Sequence, residues 1–419
     1  MSRRSSIRGV LLPAAALLAW AGGGSHAAHA DEPNNVGERF RELNRPQGLL
    51  IEGWQVRPSL LLRGGYDDNI TLRRGDGPAS SEFAIRGAID ADQGIGPYLL
   101  NLAGAVEQTW FPESRDNDAT EVEARAAAVF DGRPFKLHGS LAYLQGVERA
   151  IDNGIFVDGV FAPYEKRPEF RRIPVEIGVD YTSGIELKGT LQVTAVDYET
   201  QTTVSGLSVP QNFRRGTESE LRIRGSYEVY PGLSFFGETA TTWGRYRDSQ
   251  GDRDAWRVAT GSSFEFSRLL LGEASAGFTQ LSLPNGGETS GFTYGARIHW
   301  FATELVSLTL NAERRFDGEV TTTALGVTSA TPVTHELISL RAEWEPLRQL
   351  LLYAQAGYDQ EQRDQLGQTN DFTSLGAGAT YALTRTFSLV ADASYEFGTS
   401  DFSNDVERYR IAIGAIAAY

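Results

Sequence analysis

The chain has 419 residues, 41% hydrophobic and 11% aromatic, with a formal net charge of -15 and no cysteine; its mean hydropathy is -0.29. Without cysteine there is no disulfide framework, no thiolate metal or iron–sulfur site, no thiol nucleophile and no lipid-modified cysteine. The acidic balance argues against nucleic acid, which needs a basic face, and the length allows two or three ordinary domains or one large single-layer architecture.

In chain order, Arg3, Arg4 and Arg8 form a positive start, Gly9 to Gly24 is apolar, and Ala28-His29-Ala30 fits a small-x-small cleavage site. Pro13 and several glycines break the apolar stretch, short of the roughly 20 apolar residues of a spanning helix. Residues 1–30 therefore read as a cleaved signal peptide with the mature chain starting at Asp31, and removal of the three arginines takes the net charge to -18. Ser2 to Arg8 half-resembles a twin-arginine export signal. That pathway carries folded cargo, and the fold expected below must cross the inner membrane unfolded. Residues 31–55, with Arg39, Arg41, Arg45 and Trp54, read as a polar periplasmic leader.

From Val56 onward the pattern is period two. Ile185, Leu187, Gly189, Leu191, Val193 and Ala195 alternate with Glu186, Lys188, Thr190, Gln192 and Thr194, and the same holds around Leu221, Val306 and Phe387. Successive strand side chains point to opposite faces, so each run has one oily and one wet face. The runs are 10 to 15 residues long, against about five or six in globular proteins. Short connections such as Thr182-Ser183-Gly184, Pro231-Gly232 and Thr384-Arg385 alternate with long ones at 149–170, 199–216, 247–253, 317–331 and 363–370. Outer-membrane barrels have this asymmetry, with tight periplasmic turns and longer outer loops. A sandwich would have shorter strands with turns every 8–12 residues or so.

Eighteen runs emerge between 56 and 418, an even number with both chain ends on the short-turn side; one merged or split hairpin would make it 16 or 20. The expected architecture is all-β, a transmembrane up-and-down antiparallel β-barrel over 56–419. Aromatics on the oily face form two girdles: Tyr66, Trp110, Tyr143, Tyr181, Trp256, Tyr358 and Tyr409 toward the long loops, and Phe135, Trp300, Phe387 and Tyr419 toward the short turns. The alternation persists to the terminal Tyr419, which resembles the C-terminal signal read by the barrel-assembly machinery.

With oily faces on lipid and lipopolysaccharide, the wet faces line the lumen. The lumen-lining candidates are Arg63, Arg86, Glu107, Glu123, Arg125, Glu176, Lys188, Arg222, Arg224, Glu238, Arg257, Arg297, Glu313, Arg341, Asp359, Asp392 and Arg410. Both signs interleave, so pairing between neighbouring strands is expected rather than a simple ion filter. A ring of this size leaves an aqueous channel unless a loop folds in. Loop 149–170, apolar at Ile155, Phe156, Val157, Val160, Phe161 and Tyr164, is expected to fold inward or pack on a neighbour.

Catalysis needs a nucleophile, base and orienting group within hydrogen-bond reach. His138, His299 and His335 join no such set in the sequence, so no catalytic residue, cofactor or metal is assigned. Tyr66-Asp67-Asp68-Asn69 has acidic and amide side chains, but as turn formers leaving a strand; calcium takes about six to eight oxygens.

Arg57-Pro58-Ser59-Leu60-Leu61-Leu62-Arg63-Gly64-Gly65-Tyr66-Asp67-Asp68-Asn69-Ile70 resembles the opening strand of the β-barrel porin type 2 family of proteobacteria. The motif residues are Pro58, Ser59, Tyr66, Asp67, Asp68 and Asn69. The resemblance implies a non-enzymatic outer-membrane barrel of a Gram-negative bacterium, some relatives resembling components of exopolysaccharide production and export. The function expected is a porin-like channel for small solutes or an exported polysaccharide. The alternatives are a non-conducting structural or adhesive barrel and an outer-membrane hydrolase.

Overall fold

The computed structural model describes residues 35–419 apart from 74–76, 149–153, 158–159, 268, 285–286, 323–327, 364–366 and 402–404. The signal peptide expected at 1–30 lies outside the described residues. A helix, α1 (Val36–Leu43), precedes 18 long strands: β1 (Trp54–Asp67), β2 (Ser80–Ile95), β3 (Tyr98–Trp110), β4 (Ala119–Gly132), β5 (Phe135–Val147) and β6 (Glu169–Ser183). They continue with β7 (Ile185–Tyr198), β8 (Gly216–Tyr230), β9 (Leu233–Tyr246), β10 (Arg253–Ser267), β11 (Leu270–Ser282) and β12 (Glu288–Thr303). The last six are β13 (Val306–Thr322), β14 (Thr328–Leu347), β15 (Leu350–Arg363), β16 (Gln368–Ala382), β17 (Phe387–Ser400) and β18 (Val406–Ala418).

Each strand pairs antiparallel with its neighbours in sequence, and β1 pairs with β18 from Ser59↔Ala418 to Asp67↔Arg410. The sheet is therefore a closed ring, the solution that leaves no strand edge in lipid. Large aliphatics of one parity, among them Leu62, Ile85, Leu141, Ile177, Ile223, Leu340 and Ile413, stand exposed on the outside. Short connections bend where glycine supplies positive φ: Gly96 at 60°, Gly184 at 76° and Gly232 at 80°, a region other residues avoid.

Two expectations need correction. Tyr181 lies at the short-turn end, its ring 5.0 Å from that of Phe135, because its strand runs down into the Gly184 turn. The stretch 317–331 is mostly sheet: β13 reaches Thr322 and β14 starts at Thr328, in register from Asp317↔Val333 to Thr322↔Thr328. Polar residues on both faces hide strand character from a hydrophobic pattern, and these extensions rise above the oily belt.

The leader also folds. Leu49–Ile51 pairs with Trp54–Val56 through a two-residue turn, with φ of 50° at Glu52 and 89° at Gly53, as hairpins prefer. It occupies the lane that β18 vacates below Tyr419. Asn35 caps α1 through its side chain, which accepts from the Glu38 amide at 2.8 Å.

Candidate functional site: the bore and its two mouths

The inner wall is densely ion-paired on one side. An alternating chain runs Asp392–Arg410–Glu82–Arg63–Glu107–Arg86–Glu123, linking β17, β18 and β1 to β4. Its tightest contacts are Arg63 Nη2 to Glu82 Oε1 at 2.6 Å and Arg410 Nε to Glu82 Oε2 at 2.9 Å. Charge-assisted bonds of this length are about twice as strong as neutral ones. The pairs bridge the β1–β18 closure, so the wet face holds the ring shut as well as lining it.

The resemblance motif closes the same seam. Asp67 accepts from Arg408 Nε at 3.0 Å, Asp68 accepts from the Tyr409 amide at 2.6 Å, and Asn69 Nδ2 donates to the Glu407 carbonyl at 2.9 Å. At the other end the Pro58 carbonyl accepts from the Tyr419 amide at 3.0 Å, next to the Ser59↔Ala418 pair. Tyr66 faces outward, opposite Ile411. Asp67, Asp68 and Asn69 thus latch the first strand to the last.

Elsewhere pairing is more local. Lys188 meets Glu186 at 2.9 Å and Arg222 meets Glu220 at 2.7 Å, each on its own strand. Arg257 bridges to Glu238 at 2.8 Å, and Arg341 contacts Glu343 at 2.9 Å and Gln355 at 3.0 Å. Arg224 reaches Glu273 at 2.7 Å with its guanidinium 3.5 Å from the centre of the Phe236 ring. Arg341 covers Tyr353 in the same way at 4.2 Å. Asp359 is partly buried on β15.

Four candidates meet water at mid-height. Glu123 (side chain 45% exposed) and Arg125 stand on β4; Arg297, which donates to Asn311 Oδ1 at 3.0 Å, and Glu313 stand exposed on β12 and β13. In an 18-strand ring, β4 and β13 are nine places apart and therefore opposite. Of the histidines, His138 Nε2 is 3.8 Å from Glu176, His335 Nε2 is 3.9 Å from Glu361, and His299 Nδ1 is 3.1 Å from Thr309 Oγ1.

Both mouths are crossed by chain. At the short-turn end, which outer-membrane barrels turn toward the periplasm, α1 lies against the inner faces of β13 to β16. Val36 and Phe40 are buried with Leu351 and Ala382, Phe301 packing beside them. The Val36 amide donates to Ser307 Oγ at 2.9 Å, the Gly37 amide to Glu343 Oε2 at 3.0 Å, and Arg39 Nη2 to Glu345 Oε2 at 2.9 Å. A side chain at Gly37 would place its Cβ 2.5 Å from Glu343 Oε1, so the carboxylate would have to shift to keep its bond to the amide. The leader then crosses six strands of the ring, where Arg45 meets Asp92 at 3.6 Å and Asp90 at 3.8 Å.

At the outer mouth, a hairpin of Gly154–Val157 and Val160–Pro163 rises between β5 and β6. Its Val157 pairs with Thr322 of β13, seven strands from β6, so the loop passes over the opening. Tyr164 is buried with Val209 and Phe213 and accepts from Gln211 Nε2 at 2.9 Å. Arg214 meets Glu148 at 2.5 Å with its guanidinium 3.9 Å from the centre of the Tyr198 ring. Burial alone would raise the Glu148 carboxyl; Arg214, by charge and hydrogen bond, with Arg172 and the Tyr198 hydroxyl, outweighs it and holds the group below its ordinary value.

The apolar residues of loop 149–170 point to its crossing of the outer mouth, whereas the polar composition of the leader does not announce its own. The leader does carry a signal: Asn35 three residues before Glu38 is a cap pattern, and Val36 and Phe40 share a helix face.

A closed 18-strand ring with an oily exterior and a charged interior defines an outer-membrane β-barrel of porin type. Residues 44–419 match the family described as Putative beta-barrel porin 2. The chain belongs to that family. No curated protein matches. Among solved structures, the chain is similar to the outer membrane protein OpdK of Pseudomonas aeruginosa, with 10% identity and a TM-score of 0.47 over 87% of this chain and 99% of that one. It is also similar to OccAB3 of Acinetobacter baumannii, with 11% identity and a TM-score of 0.45 over 88% and 100%. OpdO of P. aeruginosa is comparable, with 12% identity and a TM-score of 0.46 over 88% and 98%.

Proposed function

We propose that this barrel is a passive channel for small polar solutes with a mild preference for cations. The carrying observation is the wet mid-height wall: Glu123 and Arg125 face Arg297 and Glu313 across the ring, exposed on surfaces that a packed interior would bury. Carboxylates outnumber cationic groups on the inner faces of the strands, and wall charge sets the sign of ion preference in a pore. Phe236 and Tyr353, which point inward, are each covered by an arginine, so these two rings offer no open stacking face to a sugar chain. Small charged or polar cargo therefore fits this wall better than an exported polysaccharide.

Planar-bilayer recording of the folded protein tests this reading. Discrete conducting steps are expected, with a reversal potential in a KCl gradient displaced toward potassium. A silent bilayer would remove it in favour of a closed structural barrel, the reading favoured by the chain crossing both mouths.

A further inference from the structure

From the seat of α1 we infer that the leader is a resident plug that sets both the width and the charge preference of the periplasmic mouth. The inference rests on the channel reading above. Val36–Leu43 lies outside the stretch matched by the family. Its seat is built rather than incidental. Phe40 is 3% exposed in an apolar cluster on the inner wall, and two backbone amides are committed to Ser307 and Glu343. From that wall the chain crosses a third of the ring to the aspartates of β2.

The charge consequence follows from the contacts. Arg39 sits on Glu345, Arg45 on Asp90 and Asp92, and the Gly37 amide on Glu343. If the leader leaves, four carboxylates face the mouth, with Arg57 and Arg341 as their ion-pair partners on the wall among the described residues. Opening should therefore widen the exit and make it more selective for cations at once. A plug that only obstructed would change width alone.

Two substitutions unseat the helix without touching the strands: Phe40→Asp and Val36→Asp each place a carboxylate in the apolar seat. Folding is checked by heat-modifiable gel mobility. In planar bilayers each folded variant should conduct at least twofold more than the parent, with its reversal potential moved further toward the cation. Unchanged conductance and reversal potential in both would overturn the inference. A second measurement does not depend on conduction. Ser307→Cys, in a chain otherwise free of cysteine, should react with a membrane-impermeant maleimide at least tenfold faster when Phe40→Asp is added. Equal rates overturn the plug. A labelling difference without conduction in any variant upholds the plug and removes the channel reading.

Discussion

The two mouths of the bore are narrowed by different physics. At the periplasmic end a helix drawn from outside the barrel seats two apolar side chains, Val36 and Phe40, against Leu351 and Ala382. At the outer end the barrel's own loops meet through a charged pair, Arg214 and Glu148, stacked on Tyr198, with Tyr164 beneath. The inner seat depends mainly on burial and shape. The outer cap depends far more on ionisation, so acid and salt should loosen it first. A channel built this way can respond to the outside solution at one end while holding a fixed constriction at the other.

The largest effect should come from the inner seat. Phe40→Ala removes the ring at the centre of the apolar cluster and is expected to weaken docking by about 3–5 kcal/mol, read as lost amide hydrogen-exchange protection in 36–43 with the strands unchanged. Retained protection would mean that burial is not what holds the helix. Next, Arg214→Ala strips Glu148 of its partner and should loosen the cap by about 1.5–3 kcal/mol, the range for hydrogen bonds to charged groups. Tryptic cleavage at the exposed Lys166 should accelerate in this variant and stay unchanged in Phe40→Ala. If both variants accelerate it, the two mouths are coupled and the contrast fails. Asn35→Ala, which removes only the cap of α1, should cost about 1 kcal/mol, visible as a partial loss of the same protection.

Acid gives the finest discrimination. The Glu148 carboxyl is held below its ordinary value, so its link to Arg214 contributes fully above about pH 4.3 and is lost as pH falls through the lowered value. Exchange in 162–168, corrected for intrinsic rates, should rise on that descent in the parent and not in Arg214→Ala. An identical pH response in the two would assign the acid sensitivity to another group.

Much of the barrel was legible because its code is local. Ile185 to Ala195 reads as a strand with one oily face from nothing more than its alternation, and Pro231-Gly232 reads as a turn because glycine alone adopts φ of 80° there freely. The tops of β13 and β14 were not legible: in Glu319-Val320-Thr321-Thr322 neither face is oily, and pairing with Thr328–Thr331 alone makes them strand. Tyr181 stands at the short-turn end because its strand runs down into the Gly184 turn, a direction that its aromatic character does not encode. The Asp67-Asp68-Asn69 motif stood out in the sequence, yet its partners, 338 to 341 residues away, could not.

Residue order by itself determined which faces meet lipid or water, how the strands follow one another and where the turns fall. Each of these depends on neighbours one to a few positions apart. Only the tertiary structure decided that Asp67, Asp68 and Asn69 latch the first strand to the last, that Glu82 serves both Arg63 and Arg410, and that a leader helix crosses the inner opening. Those contacts exist because a ring brings distant lanes together and leaves a hollow that chain from outside the wall can enter, and no periodicity along the chain records either condition.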